Sequence, residues 1–416
     1  MRFLLVFLAI ACSALARPNI LYIMSDDHAS EAIGAYGSWL KKFCPTPTID
    51  RLAAEGMRFT NVCCNNSICS PSRASIISGQ YSHVTGALNL NCRLKEGAPS
   101  YIRELTKSGY QTCVAGKWHM QQFPRGASDY AVTKGQGKYF NPTLHRPDGT
   151  TEKYEGYYAD RYPDRALKWL KGRNKDKPFF LLLAYNAVHS PMQGADAYME
   201  KFAHIQDIHR RIFAAMLSNM DNGVGAVLAK LRREQLEENT LIFFLSDNGG
   251  PTRELTSSNK PLRDGKGSVY EGGLRVPFMA QWPGRLAKGK VYEQPVISLD
   301  IFATASVAAG GVSIAKPQRK LDGVNLIPFL THKTKAAPHE KLFWRQDRRA
   351  ALRMGNWKLL RNPRRGQSDE WQLYNLANDI AEQNNLATEN KAKREELLSA
   401  WRELNAEMVE PLWQRK

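Results

Sequence analysis

Cysteine is scarce and unpatterned in this chain of 416 residues. Seven occur, at positions 12, 44, 63, 64, 69, 92 and 113, and no two form a Cys-x-x-Cys pair, which argues against a thiolate zinc site. The count leaves room for one or two disulfides and at least one free thiol, and spacing does not say which cysteines pair. After the N-terminal stretch there is no long uncharged apolar run of the kind a membrane span needs. Zinc-finger spacing, an RNA-recognition module and a cold-shock pattern are all missing, and so is an EF-hand loop. There are no internal repeats. Acidic residues are the minority: 40 Asp and Glu stand against 58 Lys and Arg, a formal net charge of +18. Such an excess draws polyanions to the surface. With nucleic-acid motifs missing, a sulfated polysaccharide matches the charge as well as a nucleic acid does, and charge alone does not choose between them.

What is present begins with MRFLLVFLAIACSALARPN. Arg2, an apolar run from Phe3 to Ala11 and a small-x-small site at Ala14-Leu15-Ala16 read as an export leader over residues 1–16, with Arg17 as the mature N-terminus. Cys12 after Ile10-Ala11 leaves a lipoprotein as the lesser alternative. Export places the protein in the periplasm or outside the cell and makes nucleic acid a poor partner.

Downstream, short apolar runs alternate with helical patterns. Asn19–Ser25, Gln111–Ala115, Pro178–Tyr185 and Thr240–Leu245 read as buried strands. Thr48–Gly56, Ser70–Ser78, Tyr101–Gly109, the second half of 151–172 and Ile205–Arg233 read as helices. The alternation predicts an α/β fold with a large β-sheet flanked by helices. Past residue 330 the pattern changes: strand-like runs within Leu342–Leu360 and at Trp371–Tyr374, then a charged amphipathic helix. We therefore expect a catalytic domain over 17–330 and, over 331–416, a smaller antiparallel sheet with a terminal helix.

Three polar clusters follow strands, where α/β sheets place their sites. Asp26-Asp27 and Asp247-Asn248 offer three carboxylates and an amide oxygen, a hard-oxygen set suited to Ca²⁺ or Mg²⁺. Cys69-Ser70-Pro71-Ser72-Arg73 puts a cysteine at a helix start, which fits an activated thiolate, a structural cysteine or a disulfide equally. Lys117, His119, His189 and Lys266 sit in turn-like contexts (GKWH, NAVHSP, DGKGSVYEGG) and together offer positive charge and proton relay for an anion.

These segments, taken in order, resemble the formylglycine-dependent sulfatase family of the alkaline-phosphatase-like superfamily. CSPSRASIISG at 69–79 is similar to its Cys-x-Pro-Ser-Arg modification signature. The likeness continues through GYQTCVAGKWH (109–119), FFLLLAYNAVHSP (179–191), FFLSDNGG (243–250), LRDGKGSVYEGGLRVPF (262–278) and LYNLANDIAEQNNLA (373–387), and covers about 18–390. The resemblance implies that Cys69 is oxidised before folding to formylglycine by a formylglycine-generating enzyme or an equivalent maturation system. It implies one divalent cation, usually Ca²⁺, on Asp26, Asp27, Asp247, Asn248 and the modified residue 69. Arg73 is expected to hold residue 69 and its helix, while Lys117, His119, His189 and Lys266 surround the sulfate. In the implied reaction a gem-diol oxygen, favoured by Asp247, attacks sulfur and His189 protonates the leaving alcohol. His119 then helps the covalent sulfoenzyme collapse to aldehyde and inorganic sulfate.

Departures from the commoner family forms fall beside these groups: His28 after the acidic pair, Met120-Gln121 after GKWH, Val188 before His189. They bear on substrate and leave the reaction class intact; His28 fits a site wall or a structural hydrogen bond. Some segments look closest to galactosamine- or galactose-sulfate enzymes and others to glucosamine-6-sulfate and heparan types. Glycosaminoglycans and algal galactans both remain open. The alternatives are a phosphonate or phosphate ester hydrolase of the same superfamily, or a catalytically silent sulfated-glycan-binding protein.

Overall fold

The computed structural model describes residues 17–408 apart from 39, 44–45, 88, 91–92, 95–96, 253–257, 312–320 and 364–368. Residues 1–16, expected to be an export leader, lie outside the described residues, as do Cys44 and Cys92.

The strands are β1 (Asn19–Ser25), β2 (Met57–Phe59), β3 (Val62–Cys63), β4 (Gln111–Lys117), β5 (Asp129–Thr133), β6 (Thr143–His145), β7 (Thr151–Lys153), β8 (Phe179–Ala184), β9 (Thr240–Ser246), β10 (Phe278–Gln281), β11 (Lys290–Tyr292), β12 (Val296–Ile297), β13 (Lys341–Gln346), β14 (Arg349–Met354), β15 (Trp357–Arg361) and β16 (Gln372–Asn375). Ten of them form one mixed sheet in the order β11-β2-β10-β9-β1-β8-β4-β5-β6-β7. Its centre, β9-β1-β8-β4-β5, is parallel, and β10 joins it antiparallel.

The inner positions of β1, β8 and β9 are apolar on both sides because both faces of the sheet are covered. Ile20, Tyr22 and Met24 of β1 pack on one face with Phe180, Leu182, Phe243 and Leu245. Leu21 and Ile23 pack on the other with Leu181, Leu183, Ile242 and Phe244. The first face is covered by helices Cys69–Ser78, Tyr101–Lys107 and Asp300–Ala308. The second is covered by Pro47–Glu55, Tyr158–Gly172 and Ile208–Arg233. The last of these is long and apolar enough to cross a membrane by length and composition, but 67% of its most apolar window is buried within the protein. Its start is set by Asp207, whose carboxylate accepts the Arg210 N–H at 2.9 Å, an N-cap.

The expected smaller sheet is an antiparallel meander, β13-β14-β15-β16, followed by helix Lys391–Ala406. The stretch ALRMGNWKLL is a hairpin of β14 and β15: Gly355 takes φ +57°, a conformation that favours glycine. The apolar cluster of the first face runs on without a break into Leu342, Phe343, Leu352, Leu359 and Trp401. The Trp344 indole N–H donates to the Cys64 carbonyl at 2.8 Å. Below that contact lies a buried ionic cluster. Lys358 Nζ is 2.8 Å from Glu271 and 2.9 Å from Glu382, and Arg275 grips the other oxygen of Glu271 at 2.7 Å.

Candidate active site

The site is assembled by strand order. β1 and β9 are neighbours in register, Ser25 opposite Ser246, so Asp26-Asp27 and Asp247-Asn248 emerge side by side although about 220 residues separate them. The Asp27 N–H donates to Asp247 Oδ1 at 3.2 Å, and the Asn248 amide donates to Asp27 Oδ1 at 2.7 Å. On the other flank of β1, β8 leads to His189; next to it β4 ends in Lys117. Gly116 precedes that lysine because a Cβ there would collide with the Ala184 carbonyl of β8.

Helix Cys69–Ser78 brings the cysteine in at its N-terminus, the positive end of the helix dipole. Cys69 Sγ lies 3.3 Å from Asp26 Oδ1 and 3.8 Å from Asp27 Oδ1. One turn on, on the same side of the helix, Arg73 makes two contacts with Asp247 Oδ2, each 2.9 Å. It also donates to the Lys117 carbonyl at 3.0 Å. Lys117 Nζ is paired with Asp26. Lys266 Nζ donates to Asp27 Oδ2 at 2.8 Å and lies 2.8 Å from His189 Nε2. All ten residues picked out from the sequence therefore converge at one end of the sheet; His119 joins them through its electrostatic coupling to Lys117, Asp26 and His189.

Charge balance sets the electrostatics. Three fully buried carboxylates, Asp26, Asp27 and Asp247, face Arg73, Lys117 and Lys266. Burial works to raise Asp26, but Lys117, His189 and Arg73 outweigh it and hold the carboxyl well below the usual range. Asp247 goes the other way, pushed up to about 7 by burial and then by Asp26. Burial, then Asp26 and Asp247, push the Cys69 thiol far up. Burial and Lys117 push His119 down to about 3. His189 is lowered by burial against the pull of Asp26 and Asp27. Its Nδ1 faces the Ser190 carbonyl, which has no proton to give, so Nδ1 carries the hydrogen and Nε2 accepts from Lys266.

A cation would find donors in place. Asp26, Asp27, Cys69 and His189 have ligand atoms within 4.8 Å of one another. The side-chain amide oxygen of Asn248, Oδ1, is buried with no hydrogen-bond partner, a cost that an ion would remove. The donor set is rich in hard oxygen, which fits Ca²⁺ or Mg²⁺.

The chain matches the family model described as Sulfatase over residues 18–312. It belongs to the sulfatase family. A second model, the C-terminal region of N-sulphoglucosamine sulphohydrolase, matches 264–408 of this sulfatase. Arylsulfatase J of Mus musculus is 30% identical over 83% of this chain, and N-acetylgalactosamine-6-sulfatase of Homo sapiens is 29% identical over 75%. The chain spans only 64% and 66% of those two proteins. A solved structure described as Ps i-CgsB in complex with k-i-k-neocarrahexaose is 31% identical, covers 96% of this chain and 95% of its own, and superposes with a TM-score of 0.85.

The structure also shows partners that the sequence did not mark. Gln136 accepts from Lys117 Nζ, the Ser72 hydroxyl donates to the Asp247 carbonyl, and the Tyr139 hydroxyl donates to the carbonyls of Asn186 and His189. A lone Gln in a glycine-bearing turn carries no sequence signal. His28 has a structural place: it is fully buried, its N–H donates to Ser246 Oγ at 2.9 Å, and its ring lies 3.2 Å from Ser25 Oγ. Cys63, Cys64, Cys69 and Cys113 are unpaired and buried.

Proposed function

We propose that this sulfatase is a sulfuric ester hydrolase that releases inorganic sulfate from a sulfated carbohydrate, with formylglycine made from Cys69 as nucleophile and one Ca²⁺ in the acidic cluster. The observation that carries the reading is Cys69 at a helix N-terminus, 3.3 Å from Asp26 and one turn from an arginine locked to Asp247. In that setting an unmodified thiol stays protonated and is a poor nucleophile. Formylglycine would supply a hydrated aldehyde, one of whose oxygens can displace the alcohol from sulfur and whose collapse sets sulfate free. The bound cation, held by Asp26, Asp27, Asp247, Asn248 and residue 69, would offset negative charge on the reacting oxygens.

The chain's own groups do the rest. Lys117 and Lys266 hold the sulfate oxygens. The Lys266–His189 pair carries one proton between Nζ and Nε2 and delivers it to the leaving oxygen. His119, kept neutral, takes a proton from the second diol hydroxyl. Asp247, fixed by Arg73, orients the first. With three carboxylates against three cations, the added dication is balanced when the sulfate dianion forms.

A glycan rather than a small aryl ester is supported by the net charge of +18. It is supported too by a relative named N-acetylgalactosamine-6-sulfatase and by a solved neighbour described in complex with k-i-k-neocarrahexaose. The export leader and a maturation enzyme are part of the same reading. The test pairs two measurements on native protein: the mass of tryptic peptide 59–73 and sulfate release from defined sulfated oligosaccharides. Conversion replaces the thiol by an aldehyde, removing sulfur and two hydrogens and adding an oxygen. Converted protein that cleaves matched phosphate esters and no sulfate ester would overturn the reaction class. An unmodified, inactive protein would favour a binding role.

A further inference from the structure

Next to the site lies a cavity of about 440 Å³, walled by Ile77, by Arg93, Ser100 and Arg103, and by Trp118 and Gln122 to Arg125. Two neighbours in sequence fix its place. Trp118, in its wall, stands between Lys117 and His119. Ile77 lies eight residues along the helix that begins at Cys69, and so ~12 Å from it. The polar part of the wall is Arg93, Arg103, Arg125, Ser100 and Gln122, and among the described residues no carboxylate lines it. Arg103 is committed to the wall, 2.9 Å from Glu104 and 2.9 Å from the Ala98 carbonyl. Arg93 and Arg125 are exposed and form no ion pair among the described residues. Phe123, 38% exposed, is backed by Tyr130 in a stacked pair with centroids 5.9 Å apart, and offers a flat apolar face at the rim.

Two free guanidinium groups and an aromatic plate suit an anionic sugar: the forks take a sulfate or carboxylate bidentately, and the ring receives the C–H face of a pyranose. The catalytic cluster has cations for one sulfate ester only. We propose that this cavity is a second anion subsite, which holds another charged sugar of the same glycan while its sulfate ester is cleaved at residue 69. The inference rests on the glycan reading above. It deepens it, because a protein so built prefers oligosaccharides to single sugars.

The experiment compares Cys69→Ala with the same protein carrying Arg93→Ala and Arg125→Ala, by calorimetric titration with a sulfated galactan disaccharide and hexasaccharide. Far-UV dichroism and melting check the fold. Loss of two charge-assisted contacts at a partly exposed site predicts a Kd for the hexasaccharide about tenfold weaker in low salt, with the gap closing as salt screens it. The disaccharide should be unaffected. Equal losses for both ligands, or none, would overturn the subsite. Sulfate release by the wild-type enzyme separates the two readings: release without a length-dependent loss defeats the subsite alone, whereas no glycan release and no binding defeats both.

Discussion

The buried cluster beneath the smaller sheet gives the sharpest stability prediction. Lys358 is fully buried between Glu271 and Glu382. If Lys358→Met is made, Glu271 keeps Arg275 at 2.7 Å, but Glu382 loses its close cation and keeps only the Glu271 N–H at 2.6 Å. Breaking a buried pair from one side costs about 3–5 kcal/mol. Over the roughly 365 described residues, an unfolding entropy of ~2.1 cal/mol/K each makes that a melting shift of about 4–6.5 °C, if the chain unfolds as one unit. Scanning calorimetry of the wild type, Lys358→Met and Lys358→Met/Glu382→Gln measures it, and the double variant should recover a good part of the loss. The sign with pH follows from Glu382, which burial pushes up to about 7 against the pull of Lys358. A carboxyl raised above its unfolded value near 4.3 favours the folded state when protonated and loses that contribution as pH rises through 7. Without Lys358 this loss grows, so the penalty should be larger at pH 8 than at pH 5.5. A penalty independent of pH, or a double variant no more stable than the single one, would refute the argument.

Other outcomes test the site and the frame. His189→Ala should lower kcat by about 10²–10⁴ on a sugar sulfate and less on an activated aryl sulfate, whose leaving oxygen needs little protonation; stopped assays on both esters give the ratio. Chelation should lower both activity and melting temperature, with Ca²⁺ restoring both, because the acidic cluster would lose the ion that its buried Asn248 oxygen lacks a substitute for. Asp221 accepts the N–H groups of Thr48 and Ile49 at 3.0 and 2.9 Å and so caps a helix from another helix. Asp221→Ala should cost about 1–2 kcal/mol by urea unfolding with kcat unchanged. Arg73→Lys should lose one arm of its grip on Asp247 and the Lys117 carbonyl, and cut kcat at least tenfold, while Arg51→Lys on the surface serves as a control.

Much of this could be read from the chain because both kinds of signal were local. Asn19–Ser25 and Thr240–Leu245 announce buried strands by their apolar cores, and the polar residues after each run mark the chemistry. What is not local was not legible. Nothing in either run says that β1 and β9 are neighbours, and only that adjacency joins Asp27 to Asp247 and Asn248. β5, β6 and β7 went unread because they are short, only partly buried and joined by glycine-bearing connections. Glu271 and Lys358, 87 residues apart, look like solvated charges until the sheet buries them. Residue types named the chemistry; the order of strands, which is a property of the whole chain, brought it together.

The same adjacency sets a clock. The first strand of the site pairs with one that is synthesised some 220 residues later, and such long-range pairing is slow to form. Cys69 is wholly enclosed once it does. If Cys69 is converted as proposed, the modifying enzyme would have only the time before the sheet closes over the thiol. A substitution that speeds closure would therefore be expected to yield a better-folded and less active protein, because more chains would shut with the sulfur still in place.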